Sequence, residues 1–181
     1  MAFSYFTGKG KLDSPKQQKN SLRINVDSNL RRWFSRNLGL WRSRRQYFFE
    51  EEEVVNIDMF IKMEKISQPN PEYESYRFKW WCDNDYKFFS EHPSYKREGI
   101  IDTTLQGHQL YRDKEYLSNS SGISNIRQVD EHELIFESHF DDWNVLEHTR
   151  LIDQDRYRSR IIYCWDKGSL KIVENHHEIR L

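Results

Sequence analysis

Val55, Ile57, Met59, Ile61 and Met63 occupy every second position of one stretch, with Asn56, Asp58, Lys62 and Glu64 in places between them. A period of two puts successive side chains on opposite faces of an extended chain, so this stretch reads as a half-buried strand. Turn-forming clusters then recur: SQPNP at 67–71, DND at 83–85, Gln106-Gly107, SNSSG at 118–122, DEHE at 130–133, DQD at 153–155 and Lys167-Gly168. Between them lie short segments rich in aromatic and β-branched residues, such as YESYRFKWWC, ELIFESHF, NVLEHTRLI, RYRSRIIYCW and SLKIVENHHEIRL. Short strands joined by tight turns describe an antiparallel meander. About ten strands are too many for a flat open sheet of this size, so closure into an all-β, up-and-down barrel is expected.

One helix precedes the strands. Leu30, Trp33, Phe34 and Leu38 recur at helical spacing, Asp27 or Ser28 can cap the first turn, and Gly39 supplies a left-handed residue after the last. The spacing predicts a short amphipathic helix from about residue 28 to 38, covering one end of the barrel. Residues 1–27 are polar and read as a basic, flexible tail, leaving 28–181 as the barrel domain. Residues 1–45 hold 11 Lys or Arg and 2 acids, against 17 and 27 in the rest, so a basic lead precedes an acidic body. A chain of 181 residues can bury a core without disulfides. Cys82 and Cys164 match no zinc or redox spacing and are expected as reduced, part-buried thiols. No apolar run reaches the ~18 residues of a membrane span, and no secretory signal pattern opens the chain.

Gly39-Leu40-Trp41 opens the first strand and Glu178-Ile179-Arg180-Leu181 closes the last. In a closed barrel those strands are neighbours, so the Arg180 guanidinium can lie over the Trp41 ring. This pairing resembles the signature of the calycin superfamily, the lipocalins and fatty-acid-binding proteins. It implies a structural role for Trp41 and Arg180, with Trp41 buried.

RYRSR at 156–160 places Arg156, Arg158 and Arg160 on one strand face. A two-residue turn at Gln154-Asp155 puts Glu147, Thr149 and Leu151 on that face too. A three-residue loop at Asp166-Lys167-Gly168 would pair Arg156 with Glu178, Arg158 with His176 and Arg160 with Glu174. Alternation alone admits two arrangements. The charged face can be a solvated ladder of ion pairs, each contributing ~0–1 kcal/mol. Inverted, it lines a cavity, where arginines suit bidentate capture of a carboxylate.

The RYRSR strand, the terminal EIRL, the short helix and Trp41-Arg42-Ser43-Arg44-Arg45 together resemble the S-type phycobiliprotein chromophore lyases (the CpcS/CpeS family) over residues 28–181. The resemblance implies a ten-stranded calycin barrel that binds a linear tetrapyrrole, a phycobilin, and attaches it to a cysteine of an apo-phycobiliprotein. It implies that Arg156 and Arg158 hold the bilin propionates, with Ser159 of the same motif also at the ligand. Trp80 or Trp81 would stack on the chromophore, and Glu178 and Glu147 would be the catalytic carboxylates. It further implies a cyanobacterial cytoplasmic or plastid-stromal location and admits a homo- or hetero-dimer. The family has Trp-Asp-Gly where this chain reads Trp81-Cys82-Asp83, Arg160 replaces a small residue, and residues 1–27 have no counterpart. The inverted arrangement is therefore expected, with Arg156 and Arg158 inside, Glu178 within reach, and a pocket of roughly 300–1,000 Å3.

A non-enzymatic carrier of a carboxylate-bearing hydrophobic ligand is the alternative, using Arg158 with Tyr157 or Tyr163. Nucleic-acid binding would need Trp33 and Phe34 free to stack on bases, yet both fall on the helix's apolar face. His176 and His177 are adjacent, so a strand points them apart, and His132, His139 and His148 match no zinc spacing. No metal site is expected.

Overall fold

The computed structural model describes residues 28–50, 52–67, 70, 72–115 and 120–181. The expected tail at 1–27 lies outside them. Helix α1 (28–36) leads directly into β1 (Gly39–Phe49) and β2 (Val55–Ile66). Then follow β3 (Glu74–Trp81), the one-turn helix α2 (Phe88–Glu91), β4 (Glu98–Gln106) and β5 (Gln109–Arg112). The chain finishes with β6 (Gly122–Gln128), β7 (Glu133–Phe140), β8 (Trp143–Ile152), β9 (Tyr157–Asp166) and β10 (Ser169–Arg180). Each strand pairs antiparallel with the next, and β1 pairs with β10, so the sheet closes on itself. Each strand thus has a neighbour on both sides, although the short β5 covers only Thr103–Gln106 of β4. This is the expected calycin-like barrel of ten strands with a short N-terminal helix. No helix among the described residues is long and apolar enough to cross a membrane.

The strand period is realised as read. Ile57, Met59, Ile61 and Met63 are buried, and Val55, at the strand's first position, is half-buried. Helix α1 plugs one end by inserting Leu30, Trp33 and Phe34 among Tyr76, Leu110, Leu134 and Phe136. Phe34 stacks on Tyr76 with ring centroids 5.0 Å apart, and the Trp33 indole donates to the His132 carbonyl at 2.9 Å. Those aromatic rings are committed to the core and are not presented for base stacking. Further along β1, Tyr47 packs with Ile57, Met59, Phe88 and Tyr95 in a second cluster that includes α2. Cys82 and Cys164 are free and buried.

Trp41 is fully buried, and the guanidinium of Arg180 lies 4.2 Å from its ring centroid. The same guanidinium donates to the Arg36 carbonyl, which the end of α1 leaves without a helical partner, to the Leu38 carbonyl just beyond it, and to the Asp155 carbonyl at 2.9 Å. Arg36 grips the Asp155 carboxylate with two bonds of 2.6 and 2.9 Å. That contact holds the Asp155 carboxyl below its ordinary range, the Arg36 hydrogen bond being the main cause. Helix, barrel seam and the turn before β9 are thus tied at one point. Gly39 was expected to terminate the helix; α1 ends at 36, and Gly39 opens β1 with φ of 121°. A side chain there would be strained, and its Cβ would lie 3.2 Å from the Arg180 guanidinium.

Replacing Arg180 by Met removes a cation–π contact and charge-assisted bonds to carbonyls, and should destabilise the fold by about 2–4 kcal/mol. Denaturant unfolding of the two proteins checks this; a loss below ~1 kcal/mol would remove Arg180 from its anchoring role.

Candidate functional site

The inward faces of β1, β10, β9 and β8 stack in layers. Ser43, Glu178, Arg158 and Leu151 form one, as successive cross-strand partners. Arg45, His176, Arg160 and Thr149 form the next, and Tyr47, Glu174, Ile162 and Glu147 the third. The charged side chains point into the barrel, while Tyr157 and Ile179 of the alternate face are exposed. Three cations on one strand face are therefore not a solvated ladder; two of them, Arg158 and Arg160, stand in the lumen.

Register explains why the third does not. The β8–β9 hairpin turns as expected, with the Arg156 N–H donating to the Asp153 carbonyl at 3.1 Å across Gln154-Asp155. The β9–β10 hairpin does not. It turns through two residues, Lys167 and Gly168, both with positive φ, and a register shift follows between Leu170 and Ile172. Glu178 consequently pairs with Arg158 rather than Arg156, and His176 with Arg160 rather than Arg158. A slip of two residues preserves the face while changing every partner. Arg156 ends at the rim, where the cross-strand neighbour of its backbone is Arg180 and the inward space is held by Trp41. Its side chain is 70% exposed and meets Asp153 at 3.5 Å. The expected inward position of Arg156 is thus corrected.

Trp80 and Trp81 are separated by the same alternation. Trp80 pairs with the buried Ile61 and lines the cavity, its indole donating to the Lys96 carbonyl at 3.0 Å. Trp81 stacks on Phe60 on the other face, with centroids 5.5 Å apart, so it does not reach the lumen. Ser159 pairs with His177 and Arg150 and also faces away.

Within the lumen, Arg158 bonds the Glu178 carboxylate and donates to the Asn37 side-chain oxygen at 3.0 Å, with its guanidinium 4.4 Å from the Trp41 centroid. Ser43 donates to Glu178 at 3.0 Å. Arg160 bonds Glu147 at 2.8 Å and stands 3.7 Å from Glu178, and Thr149 donates to Glu147 at 2.7 Å. Burial pushes the Glu147 and Glu178 carboxyls upward, but the arginines overcome it. Arg160 is the main partner that brings Glu147 down to about 2, and Arg158 that which lowers Glu178. Both are ionised, so neither is the raised-pKa acid that a proton donor would require.

The raised carboxyl is Glu174, which burial pushes up to about 7 against the opposing charge of Arg45. It accepts from the Tyr95 hydroxyl at 2.9 Å and shares a 2.9 Å bond with His176 Nε2. His176 is itself held neutral, by burial first and then by Arg45, Arg160 and Arg158. The sequence already places Glu174 and His176 on the arginine face; Arg45 lies on the face marked by Trp41, so the period of two could have found it as well. Arg112 and Glu115 could not be found that way, because the short β5 and the segment after it carry no clear alternation. Both also line the cavity.

The cavity runs between Trp33 and Phe34 of α1, Trp80, Arg112, Glu147 and the Arg158–Arg160 pair. Its volume is about 120 Å3, smaller than the expected pocket. Among the described residues, no group of three or more His, Cys, Asp or Glu side chains is placed to hold a metal ion.

Glu174 generates a pH prediction. Its folded pKa near 7 exceeds the unfolded value of about 4.3, so the folded state holds the proton more tightly between them. Its contribution is full at the acid side and is lost as pH rises through that window. Relative to Glu174→Gln, the parent should lose stability between pH ~4.5 and ~7, measured by denaturant titration at each pH; a parallel pair of curves would contradict the raised carboxyl.

Neither a family model nor a curated protein sequence matches the chain. Solved structures do. The chain is similar to the S-type phycobiliprotein lyase CPES from Guillardia theta, with a TM-score of 0.62, 16% identity, and coverage of 91% of this chain and 98% of that one. It is also similar to a protein of unknown function from the DUF3598 family of Nostoc punctiforme, with a TM-score of 0.57, 13% identity, and coverage of 81% and 48% respectively. The chain thus shares its fold with these two structures, one of which carries the name of the family that RYRSR and EIRL resemble.

Proposed function

We propose that this protein binds a phycobilin, a linear tetrapyrrole, in its barrel and joins it to a cysteine of an apo-phycobiliprotein. The observation that carries the reading is the buried Arg158–Glu178 pair, with the largely buried Arg160 and Glu147, in a cavity that Trp80 also lines. A bilin offers two propionates and a row of pyrrole N–H groups. Arg158 and Arg160 match the first, and the ionised Glu178 and Glu147 match the second. Trp80 supplies an aromatic surface for the conjugated system.

The chemistry is an addition. The partner's sulfur forms a bond to the ethylidene carbon, the ethylidene double bond breaks, and the thiol proton ends on the bilin, so nothing is lost. Two carboxylates held low in pKa favour the protonated, cationic bilin, which is the better electrophile. In this reading Glu178 and Glu147 act as counter-charges rather than as proton donors. The nucleophile belongs to the partner. Cys164 is buried with its thiol pushed well up, and Cys82 is also raised, burial being the first cause in each case. Such a protein would work in a cyanobacterial cytoplasm or a plastid stroma, where phycobiliproteins are assembled.

A second reading is favoured by the small cavity. A slim carboxylate amphiphile, carried without reaction and gripped by Arg158, needs less room than a tetrapyrrole. Co-expression with a bilin-synthesising pathway separates the two: the purified protein should carry a visible absorption band under the first and remain colourless under the second. Arg158→Ala should weaken bilin binding by ~1.5–3 kcal/mol, read by absorption titration. Glu178→Gln should slow transfer to the acceptor cysteine more than it weakens binding, since it removes the counter-charge and keeps the shape. Unchanged bilin affinity in Arg158→Ala would take the site away from this arginine.

A further inference from the structure

We propose that Arg112, Ser124 and Ser138 form a second carboxylate subsite in the barrel, and that the side chain of Glu115 is its resident, displaceable occupant. This rests on reading the lumen as a carboxylate-binding site. Arg112, at the end of β5, reaches across the cavity wall to the hydroxyls of Ser124 and Ser138, at 2.5 and 3.2 Å, and to the Glu115 carboxylate at 3.4 Å. The two serines bond one another at 2.6 Å and are buried on β6 and β7. Arg112 lines the same cavity as the β9 arginines.

Glu115 is not part of a strand, yet its side chain is 1% exposed and lines the cavity. Its place is kept open by Gly122, the first residue of β6, where an added Cβ would overlap the Glu115 carboxylate. A carboxylate lying across an arginine inside a binding cavity has the chemistry of a ligand's acid group. Removing it would free both volume and a cation, and a cavity of about 120 Å3 requires both before a bulky dicarboxylate can enter. The lumen would then offer cations at two places, Arg112 on β5 and Arg158 with Arg160 on β9, for the two acid groups of one ligand. A purely structural ion pair predicts otherwise: there, loss of Glu115 leaves the half-buried Arg112 without its carboxylate and gains nothing in binding.

The test titrates parent, Glu115→Gln, Gly122→Ala and Arg112→Met with biliverdin, followed by absorption, and with cis-parinaric acid, a fluorescent fatty acid. Thermal unfolding establishes that each variant is folded. If the occupied state of the subsite dominates, apparent affinity is reduced by the fraction of free subsite, so Glu115→Gln and Gly122→Ala should each bind tighter by about tenfold. Arg112→Met should bind more weakly, and the gain from Glu115→Gln should vanish in its presence. Folded variants that bind no tighter, or a gain that persists without Arg112, would overturn the subsite. The pattern with parinarate but no binding of biliverdin by any protein would sink the bilin reading and keep the subsite. Biliverdin binding that is indifferent to Glu115 and Gly122 would do the reverse.

Discussion

Two guanidinium groups lie over one indole: those of Arg158 and Arg180, 4.4 and 4.2 Å from the ring centroid of Trp41. The rest of the molecule is organised by that contact. Trp41 stands on the first strand and Arg180 directly opposite on the last, so their meeting is the closure of the barrel. Arg180 also collects the carbonyls that helix α1 leaves behind, which fixes the plug over the end of the cavity. Arg158 faces the other way functionally, joining the same indole to Glu178 in the lumen. The seam and the site therefore share one side chain, Trp41.

The lumen is an expensive place for charge. Arg45, Arg158, Glu174, Glu178 and His176 are all buried, with Arg160 and Glu147 nearly so. A buried ion pair contributes little net stability, because desolvation offsets the attraction between partners, and apolar side chains of similar volume serve the fold as well. A stack of such groups around a cavity is thus not explained by packing, and it is the feature on which the proposed function rests. Their distribution is graded. The carboxyls beside Arg158 and Arg160 are ionised, and the one beside Tyr95 and His176 sits near neutrality. Environment, rather than residue type, has divided three glutamates into two kinds.

The cavity's small volume and its polar walls belong together. Side chains such as Glu115 and Glu147 occupy space that a large ligand would need, while satisfying arginines that would otherwise be buried alone. Within the lumen each of these two acids meets an arginine, Glu115 at Arg112 and Glu147 at Arg160. A solved structure only 16% identical has a similar fold, so the frame does not depend on most of the side chains it carries.

By itself the sequence determined what depends on neighbours along the chain. The period of two set which residues share a face, so Arg158, Arg160, Glu174, His176 and Glu178 were legible as one set. Helical spacing marked Leu30, Trp33 and Phe34, and the ends of the chain carried the Trp41–Arg180 seam. Tertiary structure decided which way the charged face pointed, because alternation is the same for a strand turned inside out. It also decided partners. A two-residue turn and a shift at Leu170 to Ile172 moved β10 by two positions, giving Glu178 to Arg158 and leaving Arg156 at the rim. Trp80 was separated from Trp81 only by the pairing of β3 with β2. Arg112 and Glu115, more than thirty residues from the RYRSR strand, met it only because the barrel curves them round to the same space. Face is a local property of an extended backbone; register and convergence are properties of the closed sheet.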